Sequence, residues 1–215
     1  MMLRQLLLRC AAVLWFSVLS CSLAQAAAQS GSAPVILILG DSLSAGYGVR
    51  VDATWVALLQ KRVSDEGYGY IVVNASISGE TSGGARTRLS RALELHKPAV
   101  VVIELGANDG LRGLPLKQVR ANFEDMLRQV QSAGARAVLI AMRLPVNYGP
   151  AYAEQLNGMY AQLGKEFSVP VVPEFIESVA LDPTLMQDDG LHPNAQAQPK
   201  LLDAVWPTLK GLLKK

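Results

Sequence analysis

Short, continuous apolar segments recur along this chain and alternate with longer segments of mixed polarity. The apolar segments are rich in valine, isoleucine and leucine and lack strict alternation with polar residues. Such runs are typical of strands that are buried on both faces of a parallel sheet. We predict five of these strands, over the segments Pro34–Leu39, Tyr70–Val73, Ala99–Leu105, Ala135–Met142 and Val169–Val172.

The intervening segments carry apolar residues at helical spacing. In the first, Trp55, Leu59 and Val63 fall on one stripe, Asp52 is the predicted N-cap and Gly67 the predicted end. Further helices are predicted over residues 81–96, 116–132, 151–167 and 194–213. Because strands and helices alternate, the chain is predicted to build βαβ units. We therefore expect residues 29–215 to form a single three-layer α/β/α domain around a five-stranded parallel sheet.

The N-terminus has the order of charged, apolar and small residues that is typical of a secretory signal peptide. Arg4 and Arg9 precede or border the apolar run Cys10–Leu19, and small residues follow at 24–28. The run is shorter than the roughly 20 residues that a membrane-spanning helix needs. We predict that residues 1–26 are cleaved, with a boundary at 26–28, giving a periplasmic or secreted protein without stable membrane insertion. Lipoprotein processing at Cys21 is the alternative.

Cysteine and charge content exclude several classes of function. Cys10 and Cys21 are the two cysteines of the chain, so a mature form would have no disulfide, thiolate nucleophile or cysteine-ligated metal. Arg4 and Arg9 are the only charges in residues 1–26, so the remainder carries equal numbers of basic and acidic residues. This balance argues against nucleic acid or an anionic membrane as the main partner. A monomer is the expected state.

A serine follows the first predicted strand, at the edge of the sheet where open α/β proteins bind ligands. Ser42 lies in the sequence Gly40-Asp41-Ser42, two residues beyond the apolar run. Its hydroxyl would be exposed there, which favours a nucleophile. The G-x-S-x-G motif is absent, however, and Asp and Ser are also favoured helix caps. The segment alone is therefore compatible with a nucleophile or with a capping turn.

A candidate base lies near the C-terminus. His192 follows Asp189 by three residues, and a turn at Gly190 would bring the carboxylate to His192 Nδ1 and leave Nε2 for a serine. A surface turn before a helix is the alternative. The other histidine, His96, precedes the third strand and is predicted at the wrong edge of the sheet. A metal site formed by Asp188, Asp189 and His192 is a further alternative.

Two loops at the same predicted edge could stabilise an oxyanion. Gly79 follows the second strand, and Asn108 follows the third. The N–H groups of Ser42 and Gly79 and the side-chain amide of Asn108 could together donate to a tetrahedral intermediate. Glycine and asparagine are also common turn residues, so ordinary loop chemistry stays open as the alternative.

Four sequence blocks together resemble the SGNH, or GDSL, hydrolases. They are GDSLSAGYG, SGETS, GANDG and DGLHP, and they stand in the family order between about Pro34 and the C-terminus. The chain is most similar to the periplasmic, multifunctional acyl-CoA thioesterase/lysophospholipase/arylesterase branch. That similarity rests on the stretches VNASISGETS, ELGANDGLRG, RLPVNYG and MQDDGLHPN.

The resemblance implies a flavodoxin-like sheet and a serine hydrolase that forms an acyl-enzyme. It implies attack by Ser42, with His192 as base and Asp189 orienting it, and an oxyanion hole formed by Ser42, Gly79 and Asn108. It also implies that neither a metal nor an organic cofactor takes part. The expected partner is a small acyl ester or thioester substrate.

Two loops at the active edge are unusually apolar and are the candidate acyl-binding segments. The candidate residues are Leu111, Leu114, Leu144, Pro145 and Tyr148. An apolar groove gains roughly 0.8 kcal/mol per buried methylene, so it would favour medium or long chains over acetyl. Packing of these loops on the domain is the alternative for the residues themselves. For the whole protein, the alternatives are a carbohydrate or peptidoglycan O-deacetylase of the same fold and a non-catalytic lipid-binding module.

Overall fold

Five parallel strands form one central sheet in this computed structural model, which describes residues 33–144 and 149–215. The strands are β1 Val35–Gly40, β2 Ile71–Asn74, β3 Val100–Glu104, β4 Arg136–Ile140 and β5 Val171–Val172. Their order across the sheet is β2-β1-β3-β4-β5, and every neighbouring pair is parallel. This is the flavodoxin-like order, so the predicted fold class is confirmed.

The central strands are apolar because helices cover both faces of the sheet. Every residue of β3 is buried, and in β1 only Val35 is partly exposed. In contrast, β2 lies at an edge and is partly exposed along its length. Burial of each valine, leucine or isoleucine side chain contributes roughly 1.5–3 kcal/mol. The central strands therefore provide the rigid base on which the loops at their carboxyl ends are held.

The helices form two layers. They are α1 Ser42–Ala45, α2 Trp55–Asp65, α3 Ser82–His96, α4 Ala107–Leu111, α5 Leu116–Ser132, α6 Pro150–Phe167, α7 Glu177–Ala180 and α8 Gln198–Lys210, with 3-10 turns at Val51–Ala53 and Pro183–Leu185. Helix α2 packs against α8, whereas α5 packs against both α3 and α6. The two groups cover opposite faces of the sheet and complete the three-layer arrangement.

Two predicted helix starts were wrong. Asp52 does not cap α2; it lies in a 3-10 turn and pairs with Arg50, while Thr54 Oγ1 accepts from the backbone N–H of Ala57. Threonine is an adequate cap, so the nearer residue takes the role. The last helix begins at Gln198 rather than at 194, because the Asn194 side chain is used in a turn and donates to two carbonyls before it.

Several predictions lie outside the described residues. They concern the signal peptide at 1–26, its boundary at 26–28, both cysteines, and the acyl-binding candidates Pro145 and Tyr148. Among the residues that the structure describes, no helix is both long and apolar enough to cross a membrane.

Candidate active site

Ser42 lies where the sequence predicted it, at the carboxyl edge of the sheet. It is the first residue of α1, two residues beyond the end of β1. Asp41 caps this helix, since its Oδ1 accepts from the backbone N–H of Leu43 at 3.1 Å. Gly46 ends the helix with a φ of 78°, a conformation that glycine adopts readily. Asp41 therefore forms the capping turn, and the same turn holds Ser42, the candidate nucleophile, so the two alternatives do not exclude each other.

A side chain from the C-terminal part of the chain contacts Ser42, which lies near the start of the described residues. His192 Nε2 lies 2.9 Å from Ser42 Oγ, and His192 Nδ1 lies 2.7 Å from Asp189 Oδ2. Gly190 makes the intervening turn with a φ of 65°. Because an ionised carboxylate only accepts hydrogen bonds, Nδ1 donates to Asp189 and Nε2 is left to accept the serine proton. The geometry is that of a serine, a base and an orienting acid.

Hydrogen bonds to its charged form stabilise Asp189. Its Oδ1 accepts from the backbone N–H groups of Leu191 and His192, each at 2.9 Å, and its Oδ2 contacts the ring of His192. These contacts, with the histidine contact largest, lower the pKa of Asp189 from 3.8 to about 2. The carboxylate is therefore ionised at neutral pH, as the orientation of an imidazole requires.

Gln187 links the histidine loop to the serine loop. Its backbone N–H donates to the carbonyl of His192 at 2.7 Å, and its Nε2 donates to the carbonyls of Tyr47 and Pro193 at 2.8 and 3.1 Å. The ring of Tyr47 packs against that of His192, with the centroids 4.6 Å apart. Sequence reasoning missed this link, which joins residues 140 positions apart.

Asn108 lies in α4, at the carboxyl end of β3, and lines the same groove as Ser42 and His192. Its Nδ2 donates to Asp41 Oδ2 at 3.0 Å, which fixes the plane of the amide. Gly79 follows β2, has a φ of 78°, and its carbonyl accepts from Arg112 at 3.0 Å. Arg112 directly follows α4, so the Gly79 loop is tied to the segment that carries Asn108.

The other histidine lies away from this edge, as expected. His96 is the last residue of α3 and precedes β3, at the amino end of the sheet. In the described part of the chain, no group of three or more His, Cys, Asp or Glu side chains is placed to hold a metal ion.

A groove of about 180 Å³ opens beside Ser42. Of the predicted acyl-binding residues, Leu111 and Leu144 line it, whereas Leu114 packs partly buried against the core. Among the residues that the structure describes, the other apolar side chains that line it are Leu43, Ala107, Met142, Ile176, Ala180, Met186 and Leu191. The segment 176–186 was missed, although its position after the fifth predicted strand was a usable signal for this edge.

Known proteins match both the sequence and the fold. The pattern of the GDSL-like Lipase/Acylhydrolase family matches residues 38–198. The chain belongs to the GDSL-like lipase/acylhydrolase family. The resemblance stated from the four sequence blocks, and the expectation of an ester-cleaving enzyme, are thereby confirmed.

Individual relatives support the same branch of this family. The chain is 49% identical over 185 residues to Esterase TesA of Pseudomonas aeruginosa, covering 86% of this chain and 92% of that protein. It is 45% identical to the Thioesterase 1/protease 1/lysophospholipase L1 of Escherichia coli, covering 86% and 88%. A crystal structure of TesA superposes with a TM-score of 0.81 at 49% identity, covering 83% of this chain and 99% of that one.

Proposed function

We propose that this GDSL-family enzyme is an exported serine hydrolase that cleaves the esters and thioesters of acyl chains, with esterase, thioesterase and lysophospholipase activity. One observation carries the proposal: Ser42 Oγ is 2.9 Å from His192 Nε2, while Asp189 Oδ2 is 2.7 Å from Nδ1 of the same ring. A serine needs a base within hydrogen-bond reach to become a nucleophile, and the base needs an orienting acid.

In the first half-reaction, Ser42 Oγ attacks the acyl carbonyl carbon and its proton passes to His192 Nε2. Asp189 stabilises the imidazolium that forms. The tetrahedral intermediate then collapses, the bond to the alcohol or thiol breaks, and the leaving group takes the proton from His192. An acyl ester on Ser42 remains. In the second half-reaction, His192 removes a proton from water, which attacks the same carbon. The bond to Ser42 Oγ then breaks, His192 returns the proton to Oγ, and the carboxylic acid is released.

The negative oxygen of each tetrahedral intermediate needs donors that are already in place. We assign this role to the N–H of Ser42, the N–H of Gly79 and the side-chain amide of Asn108. Support comes from the fixed orientation of the amide by Asp41 and from the tie between Gly79 and Arg112. Loss of one such donor typically lowers kcat by about 10²–10³-fold.

The groove supports an acyl chain as the substrate rather than an acetyl group on a carbohydrate. Its lining is mainly aliphatic, and its volume of about 180 Å³ is close to the roughly 150 Å³ of a cavity that holds benzene. We therefore propose that kcat/KM rises from acetyl to about hexanoyl esters and then levels off. Each methylene that enters the groove adds roughly 0.8 kcal/mol, which is about fourfold. An O-deacetylase would show no such rise.

Export and the mature boundary belong to the same proposal. The basic residues, the apolar run and the small residues at 24–28 support cleavage near residue 26 and a mature domain from about residue 29. Mass spectrometry of the protein recovered from the periplasm or medium measures that boundary directly. A mass that starts at Cys21 and carries lipid would replace this proposal with lipoprotein processing.

The decisive experiment labels the full-length protein with a fluorophosphonate and maps the adduct by mass spectrometry. We expect one adduct, on Ser42, which disappears in Ser42→Ala and in His192→Ala. His96→Ala is the matched control, since it removes the other histidine at the opposite edge, and it should label normally. If folded protein binds acyl chains without adduct or turnover, the lipid-binding module replaces the hydrolase.

A further inference from the structure

Two buried carboxyl groups lie side by side behind Ser42, and the mechanism above uses neither directly. Asp41 is 1% exposed and Glu104, the last residue of β3, is 0% exposed. The backbone N–H of Asp41 donates to the Glu104 carboxyl group, so the two acids are neighbours, and the pKa of each is shifted by the other. Two ionised carboxylates in contact and away from water would be strongly unfavourable, so the pair holds a proton at neutral pH.

The hydrogen bonds of Glu104 indicate where that proton lies. Its Oε2 accepts from Ser44 Oγ at 2.7 Å and from the backbone N–H of Asp41 at 3.3 Å. Its Oε1 is buried and accepts from no donor among the described residues. A buried oxygen without a donor is costly, but a protonated oxygen becomes a donor itself. A proton on Oε1 would turn this buried oxygen into a donor, with the neighbouring carboxylate of Asp41 as its acceptor.

The arrangement of charges supports the same assignment. Burial, followed by the charge of Asp41, raises the pKa of Glu104 well above its usual value, whereas burial raises the pKa of Asp41 only to about 6. The charge of His192 favours the ionised form of Asp41, while burial, followed by the charges of Asp109, Glu104 and Asp41, raises the pKa of Tyr160.

We propose that Glu104 is a positioning residue for the oxyanion hole, acting as a neutral acid that holds Asp41 ionised and oriented toward Asn108. This inference rests on the proposed function. Asp41 accepts two hydrogen bonds in the structure, from the N–H of Leu43 and from the amide of Asn108, and a protonated Glu104 would supply a third. With one N–H of the Asn108 amide bound to Asp41, the other is directed away from it and is left for the substrate oxygen.

The side chains of Glu104 and Ser44 pack tightly against the neighbouring residue Gly40. A Cβ atom at Gly40 would lie 2.7 Å from Glu104 Oε2 and 2.8 Å from Ser44 Oγ. A side chain here would displace the carboxyl group of Glu104 from beneath the serine loop. The glycine that precedes Asp41 is thus explained by the buried acid.

The experiment is a double-mutant cycle measured by kcat and KM on a soluble ester. We expect Glu104→Ala to lower kcat by about 10–100-fold with KM within about twofold, as for a misaligned oxyanion donor. Glu104→Gln keeps the shape and supplies an N–H to Asp41, so it should retain kcat within about threefold. In an Asn108→Ala background, Glu104→Ala should lower kcat by less than about threefold, because both changes act through the same amide.

The control is Gln60→Ala, which removes hydrogen bonds to the backbone of Tyr70 and Val72 at the amino end of β2. It loses part-buried hydrogen bonds to the backbone in another segment of the fold and should leave kcat unchanged. A proton on Glu104 is tested without turnover, by infrared or carbon-13 NMR detection of a neutral carboxyl group that is lost in Glu104→Gln. This readout stands if Glu104→Ala does not fold.

Each outcome decides the inference. Two kinetic results for Glu104→Ala would overturn it: full activity in the folded variant, or a loss of kcat that multiplies with the loss in Asn108→Ala. It would also be overturned if Glu104→Gln were as impaired as Glu104→Ala, or if Glu104 proved to be ionised. Failure of the proposed function looks different, because Asn108→Ala and Ser42→Ala would then leave turnover intact as well.

Discussion

Asp189, which contacts His192, and Asp41, which precedes Ser42, lie in opposite environments, and their pKa values shift in opposite directions. The side chain of Asp189 is 38% exposed and accepts three hydrogen bonds that lower its pKa to about 2. Asp41 is 1% exposed, and burial raises its pKa to about 6 in spite of its hydrogen bonds. Hydrogen bonding determines the direction of the pKa shift where water can solvate the carboxylate, and desolvation determines it where water cannot.

The comparison assigns different tasks to the two acids. The exposed acid is ionised at any pH at which the enzyme would work, so in the proposed mechanism it orients His192 without depending on a neighbouring proton. The buried acid needs a protonated partner to exist as an anion beside the serine. Replacing each of these aspartates by a neutral asparagine should therefore have different consequences at the two positions.

The largest effect is expected from Asp189→Asn. The amide cannot hold the imidazole with its proton on Nδ1 and cannot stabilise the imidazolium, so kcat should fall about 10³–10⁴-fold with little change in KM. The measurement is steady-state hydrolysis of a soluble ester, with circular dichroism to show folding. Asp188→Asn is the control and should keep normal activity. A loss of kcat below tenfold for Asp189→Asn would contradict the role of Asp189 in orienting His192, and the proposed difference between the two acids would not hold.

A second test uses the pH dependence of stability. Folding raises the pKa of Asp41 from 3.8 to about 6, so the folded state binds more protons and the free energy of unfolding falls as pH rises through this window. The change is on the order of 1 kcal/mol per unit of pKa shift. Asp189 has the opposite sign: its contribution is present above 3.8 and is lost as pH falls toward about 2.

Urea denaturation of the wild type and of Asp41→Asn, from pH 4 to 7, isolates the Asp41 contribution, because Asp189 titrates below this range. We expect the decline in stability between pH 4 and 6 to be reduced in Asp41→Asn, since its side chain does not ionise. The midpoint should shift without a change in m-value. A decline that is equally steep in both proteins would assign the pH dependence to another group.

Much of this site could be predicted, because it is encoded locally. The residues that bear the chemistry sit in short blocks, and a parallel sheet brings the carboxyl ends of its strands to one edge whatever the details of packing. Predicted strands β1 and β3 differ from the observed ones by one residue at each end. Ser42 and His192 could thus be paired from their places in the chain alone.

What could not be predicted depends on side chains from distant segments. Glu104 ends an apolar strand as a lone acid, and nothing in the sequence places it against Asp41, 63 residues away. Likewise, Leu114 resembles a groove residue in its loop, but its side chain packs against the core. Ile176 and Met186 line the groove from a segment without regular hydrophobic spacing. Such contacts follow from three-dimensional packing and leave no local pattern.

An intermediate effect is expected from Gln187→Ala, which loosens the exposed histidine loop. The variant keeps its backbone hydrogen bond to His192 but loses the side-chain bonds to the carbonyls of Tyr47 and Pro193. We expect a roughly tenfold lower kcat and a stability loss of about 1–2 kcal/mol. Fluorophosphonate labelling rates give an independent measure of the serine–histidine geometry. Gln131→Ala, which removes a bond to Phe167 on the distant helices, is the control and should label at the normal rate.

The smallest effect is expected in the groove. It tests whether acyl-chain binding depends on Asp41 and Asp189 or is independent of them. Leu111 is 38% exposed at the groove and contributes only part of its side chain to the lining. Leu111→Ala should therefore lower kcat/KM for a hexanoyl ester by about three- to fivefold, the value of roughly one buried methylene, and leave the acetyl ester unaffected. Leu95→Ala, which truncates an exposed leucine on α3, is the control for surface changes. An equal loss on both esters would place Leu111 with the machinery that positions Asn108, since both lie on α4, and the acids and the groove would then not act independently.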